Sequence, residues 1–503
     1  MSNYKNTFNI IGKVLIVEAI LMLFPLLVGI IYREPFNTTI ISFLATSIGL
    51  AIIGTLLNIK KAKSNRILPR ESFIIVSLSW ICVSLFGCLP LVISKSVPHF
   101  IDAFFEMTSG FTTTGASVIE DVEALPHSVL FWRSFSHWIG GMGVIVFILA
   151  ILPNNKEGSN MHILRAESPG PQVGKLTSKI SVTARILYLI YIALTVTEMI
   201  LLRFGPNMDW FSSITLSLGT AGTGGFGILN TGIMSYAPYV QYVIAIFMML
   251  FGINFTMFYL LLIGKFKSVF KNEELRMYFA IIIVSIVIIV TSLQIHGIYS
   301  TFEERFRHAF FQVTSLMSTT GYATTDYTVA TPWPLICFMV IIFLMLTGPC
   351  AGSTGGGVKL SRVSILCKSA VRKVKQMISP RKIEPLKDSG AVIERDVIQG
   401  AESFFVLYMI VLFACTILIS IVPFAIEAAD GTVIKQDVVT SFTASLSCIS
   451  NIGPGLGNVI GPAGNFAAFT PFSKFVLSIT MIIGRLELFP MLALFSFRTW
   501  KSR

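Results

Sequence analysis

Ten apolar runs, each about 20 residues long, constrain this chain more than any other feature. They fall near residues 10–31, 39–58, 73–95, 128–152, 183–204, 238–264, 277–297, 333–350, 401–426 and 471–496. A run of that length crosses a bilayer as an α-helix, because a helix satisfies its own backbone groups where no water can. Charged residues make up 13% of the 503 and apolar residues 54%, which leaves too little polar surface to coat several soluble cores. The fold class is therefore an all-α polytopic membrane protein. That excludes a secreted domain, a soluble enzyme and a disordered scaffold. The first run is long for a signal segment and lacks a small-residue cleavage site, so it is expected to stay as a span.

The formal net charge of +12 sorts by loop. Counting the spans alternately, Lys5, Lys13, the clusters in 59–72, 153–185, 265–276 and 359–399, and Arg498, Lys501 and Arg503 all fall on one side. Together they are 29 of the 38 basic residues. By the positive-inside rule this side is cytoplasmic and holds both termini. The charge is thus spent on topology, and nucleic acid is not an expected partner; membrane lipid is. The seven cysteines (Cys82, Cys88, Cys337, Cys350, Cys367, Cys415, Cys448) are odd in number and scattered, which indicates neither a disulfide framework nor a zinc site. The six histidines form no HExxH. No cofactor is expected.

Four of the opposite loops carry semi-apolar segments too short to cross. They read IDAFFEMTSGFTTTGAS (101–117), MDWFSSITLSLGTAGTGGFG (208–227), RHAFFQVTSLMSTTGYATT (307–325) and VVTSFTASLSCISNIGPGLG (438–457). Non-helical backbone at membrane depth is tolerated only where it is buried or lines a watery cavity. Each segment therefore reads as a re-entrant half-helix ending in a glycine turn, and four copies make an internal repeat. Aligned on the terminal glycine, the turns are Thr113-Thr114-Gly115, Gly222-Thr223-Gly224, Thr319-Thr320-Gly321 and Asn451-Ile452-Gly453. The expected organisation is four pseudo-symmetric helix–pore-loop–helix repeats around one ion pore, preceded by two extra helices. Residues 1–72 hold the leading helices, 73–182, 183–276 and 277–400 the first three repeats, and 401–503 the fourth. The third also contains a basic cytoplasmic linker.

This pattern suits a monovalent cation. A permeating potassium ion must exchange water oxygens for protein oxygens, and rings of backbone carbonyls supply them. Glycine reaches the backbone angles that such a ring needs, and half-helix C-termini present partial negative charge. None of the four tripeptides contains a carboxylate. Glu106 and Asp326, nearby, either add negative potential or are ordinary hydrogen-bonded acids.

With these residues in view, the chain resembles the TrkH branch of the TrkH/KtrB/HKT superfamily of potassium uptake proteins over nearly its whole length. The resemblance rests on the four segments, HWIGGMGVIVFILAILP (137–153), LRAESPGP (164–171), GPCAGSTGGGVKL (348–360) and GRLELFP (484–490). It implies potassium bound at the twelve residues of the four turns. Gly115 implies potassium preference, since sodium-preferring plant relatives tend to carry Ser there. The fourth turn departs from the Thr-Gly pattern, as the family's fourth repeat does.

The run at 333–350 is broken by GPCAGSTGGG (348–357), which lacks the lysine of a phosphate-binding loop. Glycines there leave the backbone free to move, and Arg485 is an ionisable residue inside a span that needs a partner or a wet cavity. The resemblance implies an intramembrane gate built from Gly348, Gly352, Ser353, Thr354, Gly355, Gly356, Gly357 and Lys359 and held by Arg485. It also implies a TrkA-like cytoplasmic nucleotide-binding regulatory subunit, docked on the ten basic residues of 359–399, a homodimer, and a bacterial-type inner membrane location. The chain itself has no nucleotide-binding fingerprint. Two other classes stay open: a symporter coupling potassium to protons or sodium, for which Glu198 and Glu402 are candidate acids, and a membrane-embedded enzyme, which no nucleophile–base set supports.

Overall fold

The computed structural model describes residues 4–59, 69–143, 180–381, 385–427 and 433–496. The motif at 164–171, the second half of the 128–152 run, Lys60, Lys61, Lys63 and Arg66, most of the 153–185 cations, Lys382 and the C-terminal cations lie outside the described residues.

The described chain is mostly helical. Two leading spans come first: α1 (Tyr4–Leu21) continuing into α2 (Leu23–Ile31), then α3 (Ile41–Ile59). α1 packs along α3 and also against α4 (Pro69–Gly87), which runs on into α5 (Leu89–Ile93). Three more long spans follow: α8 (Ile180–Arg203), α13 (Glu273–Ile295) and α17 (Arg395–Ile421).

After each of the last four long spans, counting α4, comes a short helix inside the protein. These are α6 (Phe100–Phe111), α9 (Trp210–Ala221), α14 (Phe302–Met317) and α18 (Val438–Ser450). They are rich in Ser and Thr yet buried, and the hydroxyls explain how. Many donate back to the carbonyl one turn earlier: Thr215 to Phe211 O at 2.8 Å, Ser217 to Ser213 O at 2.7 Å, Thr314 to Phe310 O at 2.9 Å and Ser445 to Ser441 O at 2.9 Å. Buried hydroxyls are thereby satisfied within the helix. Asp209, Thr301 and Asp437 accept from backbone N–H groups at three of the helix starts, which fixes where these helices begin. Thr301 forms a full capping box with Glu304.

The helices that follow α9, α14 and α18 are interrupted, so the continuous spans expected from hydropathy at 238–264, 333–350 and 471–496 are not what forms. Six segments among the described residues are long and apolar enough to cross unaided. α10 (Pro238–Phe251) and α11 (Phe255–Leu262) make a seventh only as a pair bent by 91°. α15 (Leu335–Leu346) stops at the glycine-rich loop, and α16 (Leu360–Ile378) resumes beyond it. α7 (His127–Gly141) ends in glycines, and α19 (Pro471–Arg485) is separated from α20 (Phe489–Leu494) by the left-handed residues Glu487 and Leu488. A hydropathy window sees apolar content and averages over such breaks. Two small antiparallel hairpins, Lys387–Asp388 with Ala391–Val392 and Ala425–Glu427 with Val433–Lys435, complete the fold. The remaining short helix is α12 (Phe266–Lys271).

Packing of the short helices is cyclic. α9 lies on α7, α14 on α10, α18 on α15, and α6 closes the circle on α19. Each short helix thus touches the helix that follows the short one before it, which brings all four C-terminal ends to one place.

Candidate functional site

Each short helix ends in the same way. The first residue past the end adopts ordinary helical angles or already turns left-handed, and two hydrogen bonds close the turn. Thr113 N–H donates to Gly110 O at 3.1 Å and Thr114 N–H to Ser109 O at 2.9 Å. Thr223 and Gly224 donate to Thr220 O and Gly219 O, both at 2.9 Å. Thr319 and Thr320 donate to Leu316 O and Ser315 O at 3.1 and 2.8 Å, and Asn451 and Ile452 to Cys448 O and Ser447 O at 3.4 and 3.0 Å. This is the paired closure of a Schellman end, and it requires a left-handed residue. The left-handed residues are Thr113 (φ 56°), Thr223 (53°), Thr319 (60°) and Asn451 (55°). Two residues later φ is again positive, at Gly115 (81°), Gly225 (85°), Gly321 (87°) and Gly453 (106°).

These angles correct the alignment of the second turn. Gly222 is the helix cap, with φ −68°, and stands where the others have Thr112, Ser318 and Ser450. The matching tripeptide is Thr223-Gly224-Gly225 rather than Gly222-Thr223-Gly224. Three glycines in GTGG left the frame ambiguous to a glycine-anchored alignment. The other three tripeptides keep their frame.

In the corrected frame the four turns form a closed ring. A Cβ placed on Gly115 would lie 2.0 Å from Gly224 O; on Gly225, 2.1 Å from Thr320 O; on Gly321, 1.8 Å from Ile452 O; and on Gly453, 2.7 Å from Thr114 O. Each glycine therefore abuts the carbonyl of the middle residue in the next turn, and the fourth returns to the first. No side chain fits at these contacts. Asn451 Nδ2 adds a bond from the fourth turn to Thr114 Oγ1 at 3.0 Å. On one side the ring opens into a mouth of about 130 Å³ lined by all four glycines, Glu120, Asn230 and Pro454, room for several waters. Asp121 beside this mouth accepts from Asn230 Nδ2 at 2.9 Å, and that bond holds its carboxyl below the usual carboxylate range.

Beyond the helix ends lies a smaller cavity of about 80 Å³, lined by Trp80, Gly141, Gly352, Ser353, Gly355, Gly356, Gly357, Lys359, Arg485 and Glu487. The glycine-rich loop sits here. Thr347 and Val358 pair as a bridge, with Gly348 N–H donating to Val358 O at 2.8 Å, so the loop is pinched at its neck. Gly356 N–H donates to Thr319 Oγ1 at 2.7 Å, and a Cβ on Gly355 would lie 2.6 Å from Ser318 O. The loop thus lies directly under the third and fourth turns. Thr354 O accepts from Arg485 Nη1 at 2.7 Å, and Arg485 Nη2 reaches Gly141 O at 2.7 Å and also Gly140 O. Lys359 Nζ donates to Gly355 O. Seven of the nine residues expected from the sequence at the loop line this cavity, while Gly348 joins the loop's neck through Val358 and Thr354 is tied to Arg485.

Two contributors, Glu274 and Arg133, were not singled out from the sequence. Glu274 Oε1 accepts from Ala351 N at 2.7 Å and Ser361 N at 3.0 Å, which holds both shoulders of the loop. Glu487 pairs with Arg362. Arg133 and Glu106 form a buried pair at 2.8 Å, and Glu106 also accepts from Val118 N at 2.9 Å. Glu106 is therefore a hydrogen-bonded structural acid. Asp326 accepts from Thr328 and Val329 N–H groups and organises its own loop. Arg133 was readable as an ionisable residue inside an apolar run. Among the described residues no His/Cys/Asp/Glu group could hold a metal ion.

Comparison with known proteins places the chain in one family. The TrkH family model, described as a cation transport protein, matches residues 39–501. The Trk system potassium uptake protein TrkH of Escherichia coli (strain K12) is 34% identical over 505 residues, covering 99% of this chain and all of that one. The Trk system potassium uptake protein TrkG of the same strain is 34% identical over 96% of this chain and 95% of its own. The crystal structure of the potassium transporter TrkH from Vibrio parahaemolyticus superposes with a TM-score of 0.86 at 29% identity, covering 100% of both chains.

Proposed function

This chain belongs to the TrkH family of cation transport proteins, a family of potassium uptake transporters and not of enzymes, and on that premise we propose that it admits potassium through the ring of four turns. The closed ring of glycines and carbonyls carries the reading. Thr114, Gly224, Thr320 and Ile452 each present a carbonyl at the same level, and Gly115, Gly225, Gly321 and Gly453 leave room for it. Carbonyl dipoles replace the ion's water shell without a fixed charge to trap it. Thr113 Oγ1 is buried and has no hydrogen-bond partner among the described residues, so one more oxygen is free to serve a cation. Thr223, Thr319 and Asn451 hold the equivalent left-handed positions.

The glycine-rich loop is the gate in this reading. Lys359 and Arg485 place two cations in the small cavity under the ring. At an effective dielectric near 20, a unit charge ~4 Å away raises a cation's energy by about 4 kcal/mol, which slows its passage by about a thousandfold. Conduction then requires the loop and its cations to withdraw. Of the cations expected to dock a partner, Lys359 and Arg362 are buried at the loop; the exposed Lys373 and Lys375 of α16 would receive a TrkA-like regulatory subunit that senses nucleotide, and the protein would work as a homodimer in the inner membrane with both termini cytoplasmic. Rubidium uptake into proteoliposomes tests the gate. Arg485→Gln and deletion of 348–357 are each expected to raise uptake; unchanged uptake in both would sink the proposal.

One observation favours a second reading, coupling to protons or sodium. Glu198 is fully buried on α8, with the Thr220 hydroxyl beside its carboxyl. An intramembrane acid in that state is a candidate proton site. Glu402 gives no such support, since it accepts from Ser369 at 2.8 Å and pairs with Lys373 at 3.3 Å near the surface. A reversal potential that moves with the pH gradient would favour coupling.

A further inference from the structure

We propose that His137 is a positioning residue for ion selectivity, setting the second turn of the ring from behind. The proposal rests on the reading of the ring as the filter. Three turns carry a side chain at the middle position, Thr114, Thr320 and Ile452, whereas the second has Gly224. Nothing in the backbone demands glycine there, because its φ is not positive. The imidazole does. A Cβ on Gly224 would lie 2.1 Å from His137 Cγ and 2.3 Å from Nδ1, and one on Gly222 would lie 2.3 Å from the His137 carbonyl oxygen. His137 therefore occupies the volume that a side chain fills in the other three turns.

The ring is itself fixed at both nitrogens. Phe226 N–H donates to Nε2 at 3.3 Å, so Nε2 accepts and the proton sits on Nδ1, which donates to Gly110 O at 2.7 Å. His137 thus ties the first short helix to the strand leaving the second turn. Its ring also lies 4.2 Å from that of Phe226. Arg133, four residues earlier on the same face of α7, makes the parallel tie. Its guanidinium sits over the Phe226 ring at 4.2 Å, bonds Gly227 O and Ser117 Oγ at 3.3 Å each, and pairs with Glu106. Both side chains are buried, Arg133 at 1% exposure and His137 at none. The Gly224 carbonyl, the one that abuts Gly115, is consequently held by a rigid aromatic wall instead of by a side chain of its own.

The test is a double-mutant cycle read as the potassium-over-sodium preference from reversal potentials of purified protein in lipid bilayers. Gly224→Ala and His137→Ala are each expected to lower the preference about tenfold. With His137→Ala already present, Gly224→Ala is expected to cost less than about threefold, because its methyl now has room; coupling of that kind is the mark of groups in contact. His137→Gln, which keeps a donor and an acceptor, is expected to retain part of the preference and supplies the folded variant should the alanine change not yield monodisperse protein. Gly115→Ser serves as the filter control. Loss of preference in Gly115→Ser with none in His137→Ala or His137→Gln overturns the positioning role and leaves the filter reading intact. Equal effects of Gly224→Ala in both backgrounds also overturn it. Unchanged preference in every variant overturns the filter reading itself.

Discussion

A β-branched residue in the left-handed region is a strained choice, costing of the order of 1–3 kcal/mol, yet Thr113, Thr223 and Thr319 all adopt it. The hydroxyl gives the reason that glycine is not used: Thr319 Oγ1 receives the loop's Gly356 N–H, and Thr223 Oγ1 donates to Gly222 O. The threonines and glycines were legible in the sequence as types and positions. The second turn's frame was not, because it depends on where α9 ends and on the His137 ring, which belongs to a different segment. The buried Arg133–Glu106 pair yields a sharp prediction at this scale. Glu106→Gln leaves a buried guanidinium without its counter-charge, and breaking such a pair typically costs about 3–5 kcal/mol. Thermal unfolding in detergent should show a clear drop for Glu106→Gln; a wild-type midpoint would mean that the pair contributes little.

Elements were read well where hydropathy decides and poorly where packing does. The long spans α8 and α13 match their apolar runs closely, while α17 begins and ends several residues before its run at 401–426. The breaks in the helices after the second, third and fourth turns do not show in the same way. α10 and α11 part at Gly252-Ile253-Asn254, where Asn254 caps the new helix by accepting from Thr256 N at 2.8 Å, a local signal hidden in a continuous apolar run. The glycine-rich loop was visible from composition, but its anchor was not: Glu274 sits at the start of α13, 77 residues before Ala351, to which it binds. Glu274→Ala would leave two buried N–H groups without an acceptor, at about 1–3 kcal/mol each, and so weaken the loop's seat. Rubidium uptake by Glu274→Ala should rise about tenfold, whereas uptake equal to wild type would remove Glu274 from the gate.

Taken whole, the molecule brings four divergent segments into one closed contact cycle. Pairwise packing of α6 on α19, α9 on α7, α14 on α10 and α18 on α15 closes the ring. The four short helices with their turns were readable because each segment carries the same Ser/Thr-rich stretch and glycine; the closure needed the three-dimensional contacts. Basic residues mark the other large-scale feature. Lys373 and Lys375 are exposed on α16, far in sequence from the ring, and fit a surface for an acidic partner. Reversing both to Glu should weaken binding of the proposed TrkA-like subunit in a pull-down while rubidium uptake without that subunit stays the same; undiminished binding would count against the proposed docking surface.

In the proposed function potassium passes selectively, and uncoupled, through the ring of glycines and carbonyls. Its most direct test is the reversal potential of purified protein under opposed potassium and sodium gradients, with and without a pH gradient, for wild type beside Gly115→Ser. Wild type is expected to follow the potassium gradient alone, and Gly115→Ser to shift toward the sodium potential. A wild-type reversal potential that tracks protons or sodium, or a Gly115→Ser variant with undiminished potassium preference, would contradict the proposal.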